Sequence, residues 1–229
     1  MSKRMSIGYI LLASLGTLPA FAVDGVTLIN QSTVMAAGGF PFSILQPGSY
    51  KLSGSLQVPP ETSGIQVFAS GVTLDLNGFS ITGPITCQVQ NCTPHQSVTT
   101  GIFYGVSRTV IRNGHISGFD VGIEGEITAG GGASGTIEDI HITNISGFGI
   151  FTLNTLVRHN EIVGPGGFGL GCSQCAVIDN VVLFNPRGGI NLGGGTFSGN
   201  VVASNGTNNA FVAPSVVSAH NNSCNDTGC

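Results

Sequence analysis

Charged and histidine side chains are scarce in this sequence, and most of them gather between residues 112 and 179. Only 8% of all residues are charged. A histidine or arginine in such a group could serve as a general base, and a carboxylate could donate a proton or hold a cation. The candidate catalytic residues are His159, Asp139, Asp179, His141 and Arg158, and the candidate binding residues are Arg112, Glu138, Glu161 and His115.

The spacing of these residues places them on three adjoining columns. One column holds Arg112, Glu138 and Arg158; the next holds Asp139, His159 and Asp179; the third holds His115, His141 and Glu161. At the same positions further along the chain stand Ile178, Ser198, Gly199, Val181 and Val201. The columns predict a polar patch able to bind a sugar chain. The alternative is a solvated face on which stacked opposite charges stabilise neighbouring strands.

The columns rest on an internal repeat of 20 residues. Three sets of positions recur with this period: Ile137, Val157, Val177 and Phe197; Asn160, Asn180 and Asn200; Ile142, Ile162, Val182 and Val202. Upstream, Ile111 and Ile116 continue two of the sets with a step of 26. Two insertions, Gly83–Thr100 and Glu124–Gly135, are long enough to wall a groove.

Within each repeat, short alternating runs of Val and Ile predict strands, and the Gly and Asn residues between them predict tight bends. No segment has the spacing of a helix. A repeat of this length fits one coil of a solenoid, with each strand stacked ~4.8 Å from its counterpart. The predicted fold is therefore all-β, a right-handed parallel β-helix with about 20 residues per turn. The aligned asparagines predict an amide ladder.

The chain begins like a secretory signal. Lys3 and Arg4 precede an apolar run, and Ala20-Phe21-Ala22 fits a cleavage site. Four segments are predicted: a signal peptide over 1–22, an N-terminal cap with the first strands over 23–60, the β-helix over 61–219, and a disulfide-closed tail over 220–229. The protein is expected to be secreted or periplasmic, with no membrane span once the signal is removed.

Once the signal peptide with Lys3 and Arg4 is removed, the chain has 5 basic and 11 acidic residues, which gives a net charge of −6. Nucleic acid is not an expected partner, because its binding depends on basic side chains.

The six cysteines form three close pairs, which an exported protein would oxidise to local disulfides: Cys87/Cys92, Cys172/Cys175 and Cys224/Cys229. A zinc site or a redox-active Cys172-x-x-Cys175 dithiol is the alternative.

Four segments resemble bacterial right-handed parallel β-helix repeat proteins of the pectate-lyase-like superfamily. They are Gly48-Ser-Tyr-Lys-Leu-Ser-Gly, Gly71-Val-Thr-Leu-Asp-Leu-Asn-Gly-Phe-Ser-Ile-Thr-Gly, Val110-Ile-Arg-Asn-Gly-His-Ile and the ending Asn222-Ser-Cys-Asn-Asp-Thr-Gly-Cys. The resemblance covers most of residues 40 to 229 and implies the fold. It does not imply one activity, because the group includes polysaccharide lyases, glycosidases and epimerases, and their catalytic signatures have no match here.

We therefore expect an exported protein that binds a polysaccharide, a cell-surface glycan or another partner through the polar face. The alternative is a small polysaccharide lyase or related carbohydrate-active enzyme. No cofactor is expected, apart from Ca²⁺ if the protein is a lyase.

Overall fold

The computed structural model describes residues 25–88, 91–94, 98–127, 132–164, 166–206, 209–219 and 221–224. The predicted signal peptide lies outside these residues. The described chain is an all-β parallel solenoid of about 9 turns, with about 21 residues per turn, and 3% of it is helical. This architecture confirms the predicted fold class.

The strands of the first half are β1 (Val26–Ile29), β2 (Phe42–Ile44), β3 (Gly48–Leu52), β4 (Leu56–Gln57), β5 (Ile65–Val67), β6 (Val72–Asp75), β7 (Ser80–Thr82), β8 (Thr86–Gln88), β9 (Asn91–Thr93), β10 (Thr100–Tyr104) and β11 (Ser107–Gly125). Those of the second half are β12 (Ser134–Leu153), β13 (Thr155–Arg158), β14 (Glu161–Val163), β15 (Phe168–Ser173), β16 (Cys175–Ile178), β17 (Val181–Leu183), β18 (Gly188–Leu192), β19 (Gly195–Ser198), β20 (Val201–Ala203), β21 (Ala210–Val212), β22 (Val216–Ser218) and β23 (Ser223–Cys224).

Parallel pairing between successive coils gives the solenoid three faces. Face 1 contains β1, β3, β6, β13, β16, β19 and β22. Face 2 contains β4, β7, β14, β17, β20 and β23. Face 3 contains β2, β5, β10, β15, β18 and β21. The long strands β11 and β12 pass through all three faces.

One short helix, α1 (Gln31–Ala36), departs from the expectation that the chain has none. Its six residues are too few to show helical periodicity in the sequence. Asn30 and Thr33 form a capping box at its start, and Val34 is buried against the core. The Gln31 side chain exchanges two hydrogen bonds with the backbone of Gln57 in β4. The helix therefore covers part of the open edge at this end of the solenoid.

The core is built from the apolar columns predicted by the repeat. Val157 pairs with Ile137 and Val177, and Val177 pairs with Phe197. All four side chains are buried, as are those of the Ile142 column. Each such side chain contributes about 1.5–3 kcal/mol to folding.

The predicted amide ladder is confirmed. Asn160 donates through Nδ2 to Oδ1 of Asn180 at 3.0 Å, Asn180 does the same to Asn200 at 3.0 Å, and Asn200 to Asn222 at 3.0 Å. The Nδ2 groups also donate to backbone carbonyls of the coil before, such as that of Val157. The ladder pairs backbone groups at a bend, where strand pairing is interrupted.

Two of the predicted disulfides are present, Cys87–Cys92 and Cys172–Cys175. Cys229 lies outside the described residues, so the third pair stays a prediction. Two disulfides are typical of an oxidising, extracellular environment. No helix among the described ranges is long and apolar enough to cross a membrane.

Within the first insertion, strands β8 and β9 form an antiparallel hairpin, joined by Cys87–Cys92. This disulfide packs on the backbone at Gly166, where an added Cβ would lie 2.4 Å from Cys92 Sγ. The hairpin therefore lies against the corner between faces 2 and 3.

Candidate functional site

The bend between faces 1 and 2 has a left-handed backbone in successive coils. Its residues have φ angles between 54° and 69°: Asn113, Asp139, His159, Asp179 and Gly199. Asn, Asp and His are enriched in this conformation, and glycine adopts it without strain. The bend thus accounts for polar residues in this column, but it does not require any particular one of them.

Beside the bend, at the end of the face 1 strands, runs a column of alternating charge. The members are register neighbours on successive coils: Lys51, Asp75, Arg112, Glu138 and Arg158. Arg158 donates from Nε and Nη2 to one Glu138 oxygen at 2.8 and 2.6 Å, and Arg112 Nε lies 3.4 Å from Asp75 Oδ2. We call this set the charge ladder. Its cross-strand pairing of opposite charges is what we expect if this is a solvated face that stabilises neighbouring strands.

On the face 2 side of the bend, two histidines and a carboxylate follow one another. His115 and His141 have ring centroids 5.6 Å apart, and His141 Nδ1 lies 2.9 Å from Glu161 Oε2. The side chains of His141 and Glu161 are 37% and 53% exposed, so they are open to a ligand from solvent.

Between these two columns lies His159, flanked by carboxylates from the coils on either side. Its Nδ1 is 3.8 Å from Asp139 Oδ1, and its Nε2 is 3.8 Å from Asp179 Oδ2. All three side chains are at least half exposed. The predicted stack of carboxylate, imidazole and carboxylate is therefore present.

These side chains surround a shallow groove of about 270 Å³. We call it the bend groove; its lining is Gly78, Asn113, Gly114, His115, Asp139, Ile140, His141, His159 and Glu161. Of the predicted site residues, five line the groove. Asp179 does not line it, but its Oδ2 lies 3.8 Å from Nε2 of His159, which does. Arg112, Glu138 and Arg158 lie in the charge ladder next to it. In the charge ladder, each arginine side chain pairs with a carboxylate of the coil before it, Arg112 with Asp75 and Arg158 with Glu138.

The sequence did not single out Asn113 as a site residue, although it precedes Gly114 at the bend. Its Nδ2 donates to Asp75 Oδ1 at 3.1 Å, which ties the groove to the charge ladder. The two insertions, which are long enough to wall a groove, contribute none of their described residues to the lining of this one. Successive bends form the concavity instead.

The second insertion borders a different concavity, of about 340 Å³, on face 3. Ile127 lies at its rim, and Phe148 and Phe151 form a stacked pair with ring centroids 4.8 Å apart. The rings lie over Gly171, where an added Cβ would be 2.8 Å from Phe151 Cδ2. This surface is mostly apolar and holds none of the predicted site residues.

Within the described part of the chain, no group of three or more His, Cys, Asp or Glu side chains is arranged to hold a metal ion.

Comparisons with known protein families, curated proteins and solved structures found no match to this chain. The class that the fold and the groove define is a parallel β-solenoid with a polar groove at one bend.

Proposed function

We propose that this chain is an exported β-helix protein of the pectate-lyase-like kind, and that it binds a glycan in the bend groove. The signal-like N-terminus and the two disulfides support export. The repeat motifs in β6 and β11 support the resemblance.

The observation that carries the proposal is a comparison between coils of the same chain. The His141 and Glu161 positions are filled by Val181 and Val201 in the next two coils, with the same strand pairing. The His159 position is filled by Gly199 two coils later. The fold therefore does not need imidazoles or a carboxylate at these places, and their concentration around one groove favours binding.

The groove offers groups that suit sugar hydroxyls. The carboxylates of Asp139 and Glu161 accept hydrogen bonds, and hydrogen bonds to charged acceptors are stronger than those between neutral groups. The imidazoles of His115 and His141 can donate or accept according to tautomer. Since these groups sit on a rigid parallel scaffold, little ordering is needed on binding.

The test is a variant that replaces the groove side chains with those of later coils: His141→Val, His159→Gly and Glu161→Val together. We expect wild-type protein to bind one member of a glycan panel by calorimetry, and the triple variant to lose at least tenfold in affinity. The matched control is Gln66→Val with Thr196→Val, which changes a half-exposed position on face 3 and an exposed position on a later coil of face 1, neither of them in the groove. Equal binding by the triple variant, with an unchanged unfolding midpoint, would refute the proposal.

Glycan cleavage is the second candidate, and the 2.9 Å contact between His141 and Glu161 favours it. A carboxylate at this distance orients an imidazole for proton abstraction. Incubation of the panel with and without Ca²⁺ separates the two candidates. A lyase would release unsaturated products, and His141→Gln would abolish the release. Binding without any product leaves the groove as a binding site.

A further inference from the structure

The arginines next to the bend groove are already neutralised within the charge ladder. Arg158 makes two hydrogen bonds to Glu138, whose side chain is only 14% exposed. Arg112 pairs with Asp75, whose side chain is 18% exposed. A ligand carboxylate would have to compete with these fixed partners to reach either guanidinium.

The carboxylates in the groove, Asp139 and Glu161, and that of Asp179 beside it face solvent instead, and no Lys or Arg among the described residues forms an ion pair with them. Asp139 and Asp179 lie 3.8 Å from the imidazole nitrogens of His159, and Glu161 contacts His141. Their side chains are 59%, 53% and 53% exposed. The lining residues, all of them described, include neither Lys nor Arg. The formal charges of the lining, those of Asp139 and Glu161, are both negative.

We infer that the bend groove selects a glycan segment without negative charge, made of neutral or amino sugars, and discriminates against uronates and sulfated sugars. This inference rests on the proposed function. An anionic sugar would meet like charges from Asp139 and Glu161 in the groove and from Asp179 beside it, and that repulsion is felt at the contact distances of a bound ligand. A neutral sugar meets hydrogen-bond acceptors instead.

The experiment compares pairs of ligands that share a sugar backbone and differ in charge: an oligogalacturonide and its methyl ester, and a carboxymethylated cello-oligosaccharide and its unmodified form. Calorimetry at pH 7.5 in 50 mM NaCl should show the neutral member of the binding pair at least tenfold tighter than the acidic one. Raising NaCl to 500 mM should shrink this ratio, because salt screens exposed charges.

The matched variant is Asp139→Asn with Asp179→Asn, which keeps residues that tolerate the left-handed bend. It should raise affinity for the acidic member at least threefold, and it should lower the ratio of neutral to acidic affinity by at least the same factor. Glu126→Gln, which removes a carboxylate outside the groove, should change the affinity for neither ligand. Tighter binding of the acidic member by wild-type protein would overturn the inference and leave the proposed function standing. If no member of either pair and no glycan of the panel binds, the proposed function fails, and the inference fails with it.

Discussion

At the scale of single residues, the left-handed bend decides which substitutions are informative. His159 has a φ of 54°, a conformation that costs an ordinary L-residue about 1–2 kcal/mol. Alanine at this position would therefore lose the imidazole and also strain the backbone. Glycine, which the chain itself uses at 199, removes the side chain without that strain.

We predict that His159→Ala lowers the free energy of unfolding by about 1 kcal/mol relative to His159→Gly. Urea unfolding of the two variants measures the difference. Equal stability of the two variants would mean that the bend at 159 is not left-handed in solution.

The same residues show what sequence could and could not reveal. The column of Asp139, His159 and Asp179 follows from the 20-residue spacing, and the structure places it as expected. The left-handed backbone was not predicted, because Asp and His are also ordinary surface residues. The full charge ladder was missed, because Lys51 and Asp75 stand 24 and 37 residues before their neighbours, outside the regular repeat.

At the scale of elements, the asparagine ladder replaces strand pairing at the bend. Asn180 donates to the backbone carbonyls of Val157 and Ile178 and to Asn200 Oδ1, and it accepts from the backbone and side chain of Asn160. Removing one rung leaves several buried polar groups unpaired at once.

Asn180→Ala should therefore lower the free energy of unfolding by about 3 kcal/mol or more, since each orphaned group costs about 1–3 kcal/mol. Asn191→Ala, at an exposed position on face 3, is the control and should stay within about 0.5 kcal/mol of wild type. Chemical denaturation checks both variants. A loss below about 1 kcal/mol for Asn180→Ala would contradict a stabilising ladder.

A second ladder was not predicted. Asn185 donates to Asn205 Oδ1 at 2.9 Å, and Asn205 donates to Asn209 Oδ1 at 3.2 Å. The first step is 20 residues, but the second is only four, because the third amide comes from the loop of the same coil. Sequence periodicity reveals ladder asparagines that lie on successive coils, but it does not reveal an asparagine that a loop contributes.

At the scale of the whole molecule, the coils of one chain serve as comparisons for one another. Coils with Val181 and Val201 keep the same pairing as the coil with Glu161, so polar groups in the bend groove are additions to the scaffold. The solenoid could be predicted from the sequence, because stacked coils bury the same positions of each repeat, and those positions therefore recur as apolar residues. It could not predict the groove's shape, which depends on how successive bends are placed in space.

Whether a glycan occupies the bend groove can be read from the histidine ring signals in NMR. The chain has five histidines, of which His115, His141 and His159 line the groove. Titration with a glycan that binds should shift these three sets of ring signals together, with one dissociation constant. Binding that shifts none of the three would contradict occupation of the groove.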